Sequence, residues 1–574
     1  MPRARCPLEA AIPFVPLLLA ALPAAAADTP HPPTPVSLPA AAGAVAPGLS
    51  QDGDGLLLTW WEPAGEGSVL RLARFDGTTM SAAMTVSAPA APVVNWADTP
   101  QVARSGDGSL VAWWPQQAGE SPDAYEVALA RSTDEGASWT DLGVVHDDGT
   151  DTEHGFVSMA PEGQGLRVAW LDGRAMVDQG PMQLRTTWIG HAIGPAQVVD
   201  PRTCDCCGTA LVPTPAGPVV VYRDRSDNET RDIFASVRQA EGWSTPRSVS
   251  DDGWQIAGCP VNGPRAALTG AHLAVTWTTG VAGPRVRAAF SDASTPTLFS
   301  PAVELDGPDD RGEPLGRVYV TALDDAGLAD TVAVSWLRQE DGLGRVQLAT
   351  LRADGQRSDA ITVGETTADR KAGFPRLGRA GDSILVVWTD PRRVDSLQAV
   401  RLAVSDLPVP SEPARSVVTT DGGAAPAAAA AVAALPDKFK PVLPADYRAP
   451  DLAGVEHGLA PERPGLTMVN FFASWCPPCM AELPVIAELV QRHPDLHLVS
   501  IATDDMPAKV KALVAQGRLS GQVLLDSARN VTPAFGATEL PTTLLYDASG
   551  TLIWAHEGPL TADEPELEAL LAGG

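Results

Sequence analysis

A chain of 574 residues exceeds one domain at roughly 150 residues per domain, so several units or one large repeat are expected. Hydrophobic residues make up 44% and charged residues 19%, which supplies packed cores and excludes a disordered polymer. The net charge of −29, with 41 basic residues and no Lys/Arg-rich run, repels phosphate backbones and anionic lipid heads and argues against nucleic acid as a partner.

The chain opens with Met-Pro-Arg-Ala-Arg, continues with 13 residues of apolar character from Ala10 to Leu22, and reaches Ala24 to Ala27 before Asp28. This is the pattern of a secretory signal peptide, residues 1–27, because a bilayer span needs about 20 apolar residues. An uncleaved anchor is the alternative, and Pro13 and Pro16 weigh against it. No later segment approaches a span, so an exported, periplasmic or otherwise extracytoplasmic protein without stable membrane insertion is expected. Disulfides persist in such a compartment. Cys6 leaves with the signal, and Cys204, Cys206, Cys207, Cys259, Cys476 and Cys479 remain.

From 36 to 420 an apolar strand ending in an aromatic residue recurs at Trp60, Trp113, Trp170, Tyr222, Trp277, Trp336 and Trp388, with spacings of 53, 57, 52, 55, 59 and 52 residues. Four short strands per unit of about 50 residues is the arithmetic of a β-propeller blade, whose sheet buries its faces against its neighbours. Seven copies predict seven blades, with six plus an accessory unit as the alternative. The aromatic stripe is read as core packing.

One blade carries Ser132-Thr133-Asp134-Glu135-Gly136-Ala137-Ser138-Trp139. This resembles the Asp-box of sialidase-like propellers, a structural turn that implies no catalysis. Arg174, Arg223, Arg225, Arg392 and Arg393 follow aromatic-ended strands, yet Asp172, Asp224 and Asp390 stand beside them, and the Arg-Ile-Pro stretch of sialidases is absent. Glycosidase activity is not expected.

Cys204, in Cys204-Asp205-Cys206-Cys207, lies 18 residues before Tyr222, and Cys259 lies 18 before Trp277. Equivalent offsets on neighbouring blades bring the four thiols together where the chain crosses toward the axis. Three readings stay open: two structural disulfides, a thiolate site for copper or zinc, or a redox-active disulfide serviced by another domain. His154 holds a similar place in the preceding blade and offers an imidazole.

Composition shifts to Ala and Pro after Ser411, and residues 421–440 read as a semi-flexible linker. Beyond it the chain predicts a strand at 466–473, the Cys476-Pro477-Pro478-Cys479 motif opening an amphipathic helix to 493, a strand at 496–502 and a helix at 507–516. A strand at 523–526, a short helical piece to 537, a hairpin at 542–556 and a helix at 562–571 follow. A strand followed by C-x-x-C at a helix opening is a thioredoxin arrangement, since helix N–H groups and the helix dipole favour a thiolate there. Cys476 is placed to attack and Cys479 to resolve the mixed disulfide. Pro484 is expected to kink the helix.

Residues 441–574 resemble the TlpA-like exported thioredoxins, on Val469 to Pro484 and on Leu540-Pro541-Thr542. The resemblance implies a thioredoxin fold, a cis-proline loop at Pro541 that faces substrate, and a carboxylate at Glu482 that carries protons. It also implies protein disulfides as substrates, a membrane electron donor, reductant activity and no cofactor for this domain. Asn470 stands where ordinary thioredoxin has a buried Asp, which leaves the proton work to Glu482.

Overall fold

The computed structural model describes residues 32–413 and 439–571, apart from 66, 120, 122–123, 257, 325–327, 440–441, 444–446, 460–464, 475, 504–506, 520, 527–534, 538–539, 548–549, 561–563, 565–566 and 569. The signal-like segment and the linker before Phe439 lie outside the described residues, as does most of the helical piece to 537. No described helix is long and apolar enough to cross a membrane.

Seven antiparallel sheets follow one another in chain order, spanning 45–87, 101–144, 154–200, 210–250, 265–306, 312–367 and 376–403. The seventh gains its outermost strand from Thr34–Pro35, which pairs with Arg401 and Val400, so the start of the described chain closes the ring. The second strand of each blade is sandwiched between neighbouring sheets, and both faces must therefore be apolar. Gly165–Asp172 and Ser383–Thr389 are buried at every position. The landmark aromatics occupy these second strands and range from 0% exposed at Trp60 to 5% at Trp388.

Four of their polar edges stitch the blades together, whereas Trp60 and Trp170 bond Glu62 and Asp172 of their own strands. Trp277 Nε1 donates to Asp252 at 2.7 Å, Trp336 Nε1 to Asp306 at 2.6 Å, Trp388 Nε1 to the Glu365 carbonyl at 3.1 Å, and the Tyr222 hydroxyl to Asp200. Asp200 and Asp306 end the outer strand of the preceding blade. Asp306 also accepts from Arg338 at 2.7 Å. Asp306→Ala strands the buried Trp336 indole and removes one of several partners of Arg338, which keeps Asp309 and the Gly307 and Gly312 carbonyls, and is expected to destabilise the propeller by about 2 kcal/mol in denaturant unfolding. Asp306→Asn keeps the Trp336 bond and loses less.

The Ser132–Trp139 turn joins the third and fourth strands of the second blade. Asp134 accepts from Ser132 and from the Ser138 amide at 2.8 and 2.9 Å, and Glu135 and Gly136 take positive φ values of 61° and 90°. Arg174 pairs with Asp172 at 2.6 Å, Arg392 with Asp390 and Arg393 with Asp395, both at 2.8 Å.

In the C-terminal unit a five-stranded sheet runs in the order 522–526, 497–503, 467–472, 542–546, 552–557. The first three strands are parallel and the last two antiparallel, and the central strand Thr467–Phe472 is buried throughout. Helices Pro477–Arg492 and Pro507–Ala515 accompany it. The first is a single helix that includes Pro484.

Candidate redox sites

The buried strand Thr467–Phe472 delivers the chain to Cys476, the N-cap of the helix, whose backbone is extended at φ −100° and ψ 103°. Its sulfur accepts from the Cys479 amide at 3.3 Å, the helix-terminus contact that favours negative charge on sulfur. Cys476 and Cys479 form a disulfide with Cα atoms 5.3 Å apart. The Leu540–Pro541 bond is cis, and Pro541 leads into the strand Thr542–Tyr546 beside the central one.

Glu482, one turn beyond Cys479 on the same helix, has no exposed surface. It accepts from Asn470 Nδ2 at 2.8 Å and from the Leu560 amide at 3.0 Å. Burial raises its pKa from 4.5 to about 7, against the lowering by these two bonds. A group titrating near neutrality is matched to proton transfer there.

Burial of Cys476 departs from a freely presented attacking thiol, since both sulfur-bearing residues are 0% exposed. At the cis-proline loop the neighbour is the propeller. A Cβ placed on Gly258 would lie 3.2 Å from the Leu540 carbonyl oxygen, so the segment carrying Cys259 approaches this loop closely enough that a methyl group would crowd it.

The propeller cysteines occupy two crossings, 201–209 between the third and fourth blades and 251–264 between the fourth and fifth. Cys206 and Cys259 form a disulfide with Cα atoms 6.1 Å apart, while Cys204 and Cys207 are buried free thiols. Glycine permits the approach: a Cβ on Gly263 would fall 1.9 Å from the Gly208 carbonyl oxygen, inside any allowed contact. Gly263→Ala is expected to force the crossings apart and lower the yield of the Cys206–Cys259 bridge, read by non-reducing peptide mapping.

The two free sulfurs are 2.8 Å apart, and Cys204 Sγ lies 4.0 Å from Cys206 Sγ. A charged chain surrounds them. Asp205 pairs with Arg225 at 2.9 Å, Arg225 and Arg231 each pair with Glu229 at 2.8 Å, and Arg231 Nη1 reaches Cys204 Sγ at 3.3 Å. Burial alone would raise the Cys204 pKa, but the Cys207 thiol and the Arg231 guanidinium outweigh it and bring it below the ordinary thiol value. Burial and the neighbouring Cys204 push Cys207 well up. Arg223 donates to the carbonyls of Asn262, Arg231 and Thr278 and so braces the Cys259 crossing.

His154 is placed apart from the thiols. It begins the inner strand of the third blade, stacks on His146 at 3.7 Å and shares Asp148 with it. The candidate ligand group at the crossings comprises Cys204, Cys206 and Cys207, with Cys259 tied to Cys206. Sequence reasoning missed Arg231, Glu229 and the paired glycines, and named Arg225 without linking it to the thiols. The acidic and basic residues at 202–231 were the available signal.

The C-x-x-C helix cap, the central strand and the cis-proline loop together define a thioredoxin-like fold. Residues 444–571 match the Redoxin family model. The thiol:disulfide interchange protein DsbE homolog of Paracoccus denitrificans is 37% identical over 116 residues, covering 19% of this chain and 64% of that protein. The thiol-disulfide oxidoreductase ResA of Geobacillus thermodenitrificans is 27% identical over 121 residues, covering 21% and 70%. The structure of StoA from Bacillus subtilis is 25% identical, covers 23% of this chain and 98% of its own, and has a TM-score of 0.19. The chain thus spans just under two thirds of the Paracoccus relative, and the propeller lies outside the Redoxin match.

Proposed function

We propose that this is an exported thiol–disulfide oxidoreductase, acting as a reductant, whose own propeller disulfide Cys206–Cys259 is a substrate of the Redoxin domain. The observation that carries the reading is the close approach of Gly258 to Leu540: the backbone that the TlpA-like resemblance assigns to substrate pairing lies next to the residue beside Cys259. Cys476 has no exposed surface to offer a diffusing client, and the tether keeps the two sites at an effective concentration in the millimolar range. The signal-like N-terminus supports export, and electrons would enter from a membrane donor.

In the reduced domain the Cys476 thiolate attacks Cys259 Sγ, the Cys206–Cys259 bond breaks, and Cys206 leaves as a thiolate. Cys479 then attacks Cys476, releases Cys259 and restores the Cys476–Cys479 disulfide; Glu482 takes the Cys479 proton. Two electrons pass from one pair to the other. Pro541 holds the loop against the client backbone.

Cys479→Ala is expected to trap a Cys476–Cys259 mixed disulfide, mapped by mass spectrometry after export. Adducts solely with other proteins would overturn the self-substrate reading and make the propeller a recruitment module.

A second reading is favoured by the sulfurs of Cys204, Cys206 and Cys207, which lie within 4.8 Å of one another. Once Cys259 is also reduced, this donor set suits Cu(I) or Zn, although the Arg231 guanidinium beside Cys204 opposes a cation. About one equivalent of metal retained by the reduced full chain would support it; none returns the cluster to redox chemistry alone.

A further inference from the structure

We infer that Cys204 and Cys207 form a second, interior dithiol that exchanges with the Cys206–Cys259 disulfide, so that the propeller stores a reserve of two electrons behind its half-buried entry at Cys259. The inference deepens the proposed self-reduction and rests on that reading for its role in the chain, although the exchange itself requires no Redoxin sulfur.

The sulfurs are graded from surface to interior. Cys259 is half-buried, Cys206 is 9% exposed, Cys207 1% and Cys204 0%. No external thiol reaches the inner pair, yet Cys204 Sγ stands 4.0 Å from a disulfide sulfur and 2.8 Å from Cys207 Sγ. The Arg231 guanidinium, 1% exposed and 3.3 Å from Cys204 Sγ, faces that sulfur with positive charge. Arg231 is anchored by Glu229, and Glu229 by Arg225, so the charge is fixed in place. A structural disulfide needs neither two spare thiols in reach nor a buried cation aimed at one of them.

The chemistry balances within the propeller. Cys204 as thiolate attacks Cys206 Sγ; the Cys204–Cys206 bond forms, the Cys206–Cys259 bond breaks, and Cys259 leaves with the electron pair and takes up a proton. Cys207 then loses its proton and attacks Cys204 Sγ, forming Cys204–Cys207 and releasing Cys206, which is reprotonated. The result is an isomerisation without external oxidant or reductant: the inner pair is oxidised by two electrons and the outer pair reduced by two. The outer dithiol is then ready to reduce a disulfide presented at Cys259, and Redoxin turnover recharges the store.

The test uses the full chain carrying Cys476→Ser and Cys479→Ser, treated under native conditions with iodoacetamide alone. Progressive alkylation of Cys259, with one Cys204–Cys207 disulfide formed per label, is the expected result. Adding Cys204→Ser should slow that labelling by about tenfold or more, because the attacking sulfur is gone. Cys207→Ser should retain the labelling and stop at Cys204–Cys206. Retention of the Cys206–Cys259 bridge in fresh Cys204→Ser protein confirms that it folds, and the Cys207→Ser product supplies an independent readout if it does not. Cys259 that stays unlabelled until a thiol reductant is added would overturn the inference, as would equal labelling with and without Cys204. Because the Redoxin sulfurs are absent, this outcome is separate from that of the Cys479→Ala trap: either can fail while the other holds.

Discussion

Gly258→Trp is expected to convert the chain from a self-directed reductant into one that turns over external disulfides. The Gly258 Cβ position lies 3.2 Å from the Leu540 carbonyl and 3.4 Å from Ile256 Cγ1, so a methyl group fits after a shift of a few tenths of an ångström and an indole does not. Wedging the two surfaces apart uncovers the cis-proline loop, whereas Cys476 itself packs within its own unit among Phe472, Ala473, Leu483 and Ala502. Under a thiol reductant the tethered disulfide is spent after one turnover, so the steady gain reports the uncovered loop and is expected to be severalfold. Insulin reduction by the full chain with a thiol reductant measures the gain. In the Cys479→Ala background the same substitution should deplete the Cys476–Cys259 adduct, and Gly258→Ala should resemble the parent in both assays. Unchanged insulin turnover in Gly258→Trp would show that this close approach is not what restrains turnover.

The propeller is legible in the chain because each second strand must be apolar on both faces and ends in a large aromatic, a demand repeated seven times at nearly constant spacing. The thioredoxin-like unit is legible for a different reason: Cys476 and Cys479 are neighbours in one helical turn, so sequence distance is spatial distance. Convergence of Cys204 and Cys259 also follows from equal offsets on adjacent blades. Which sulfurs bond does not, since it depends on how closely two crossings approach, and that is decided by Gly208 and Gly263. The Arg231 charge beside Cys204 arrives from the loop between the second and third strands of the fourth blade, 27 residues further along the chain. The covering of the cis-proline loop comes from Gly258, remote in the chain, and no local pattern encodes it. His154 shows the limit of offset arguments: its position in the strand order matches that of the thiols, but His146 and Asp148 of its own crossing claim it.

Glu482→Gln is expected to separate stability from catalysis through pH. The carboxyl is 0% exposed and its folded pKa is about 7 against an ordinary 4.5. A raised folded pKa contributes stability that is fully present below pH 4.5 and is lost as the pH climbs through 7. Two and a half pH units correspond to about 3 kcal/mol between these limits. The fixed neutral Gln does not incur that loss, and Asn470 accommodates it. Asn470 donates to Glu482 and Thr543 while its own Oδ1 is buried without a partner, so rotating its amide lets Oδ1 accept from the Gln Nε2. Hydrogen exchange of the helix Pro477–Arg492 in the full chain should match the parent near pH 4.5 and become slower in the variant above pH 7. Turnover moves the other way: without a proton acceptor near Cys479, reduction at pH 7 should fall by about a hundredfold. Glu482→Asp, which keeps an acid one methylene short, should recover part of that loss. A variant with equal protection at both pH values would show that Glu482 is ionised in the folded protein without cost. A loss of turnover that is the same at every pH would assign the residue a positioning role in place of proton transfer.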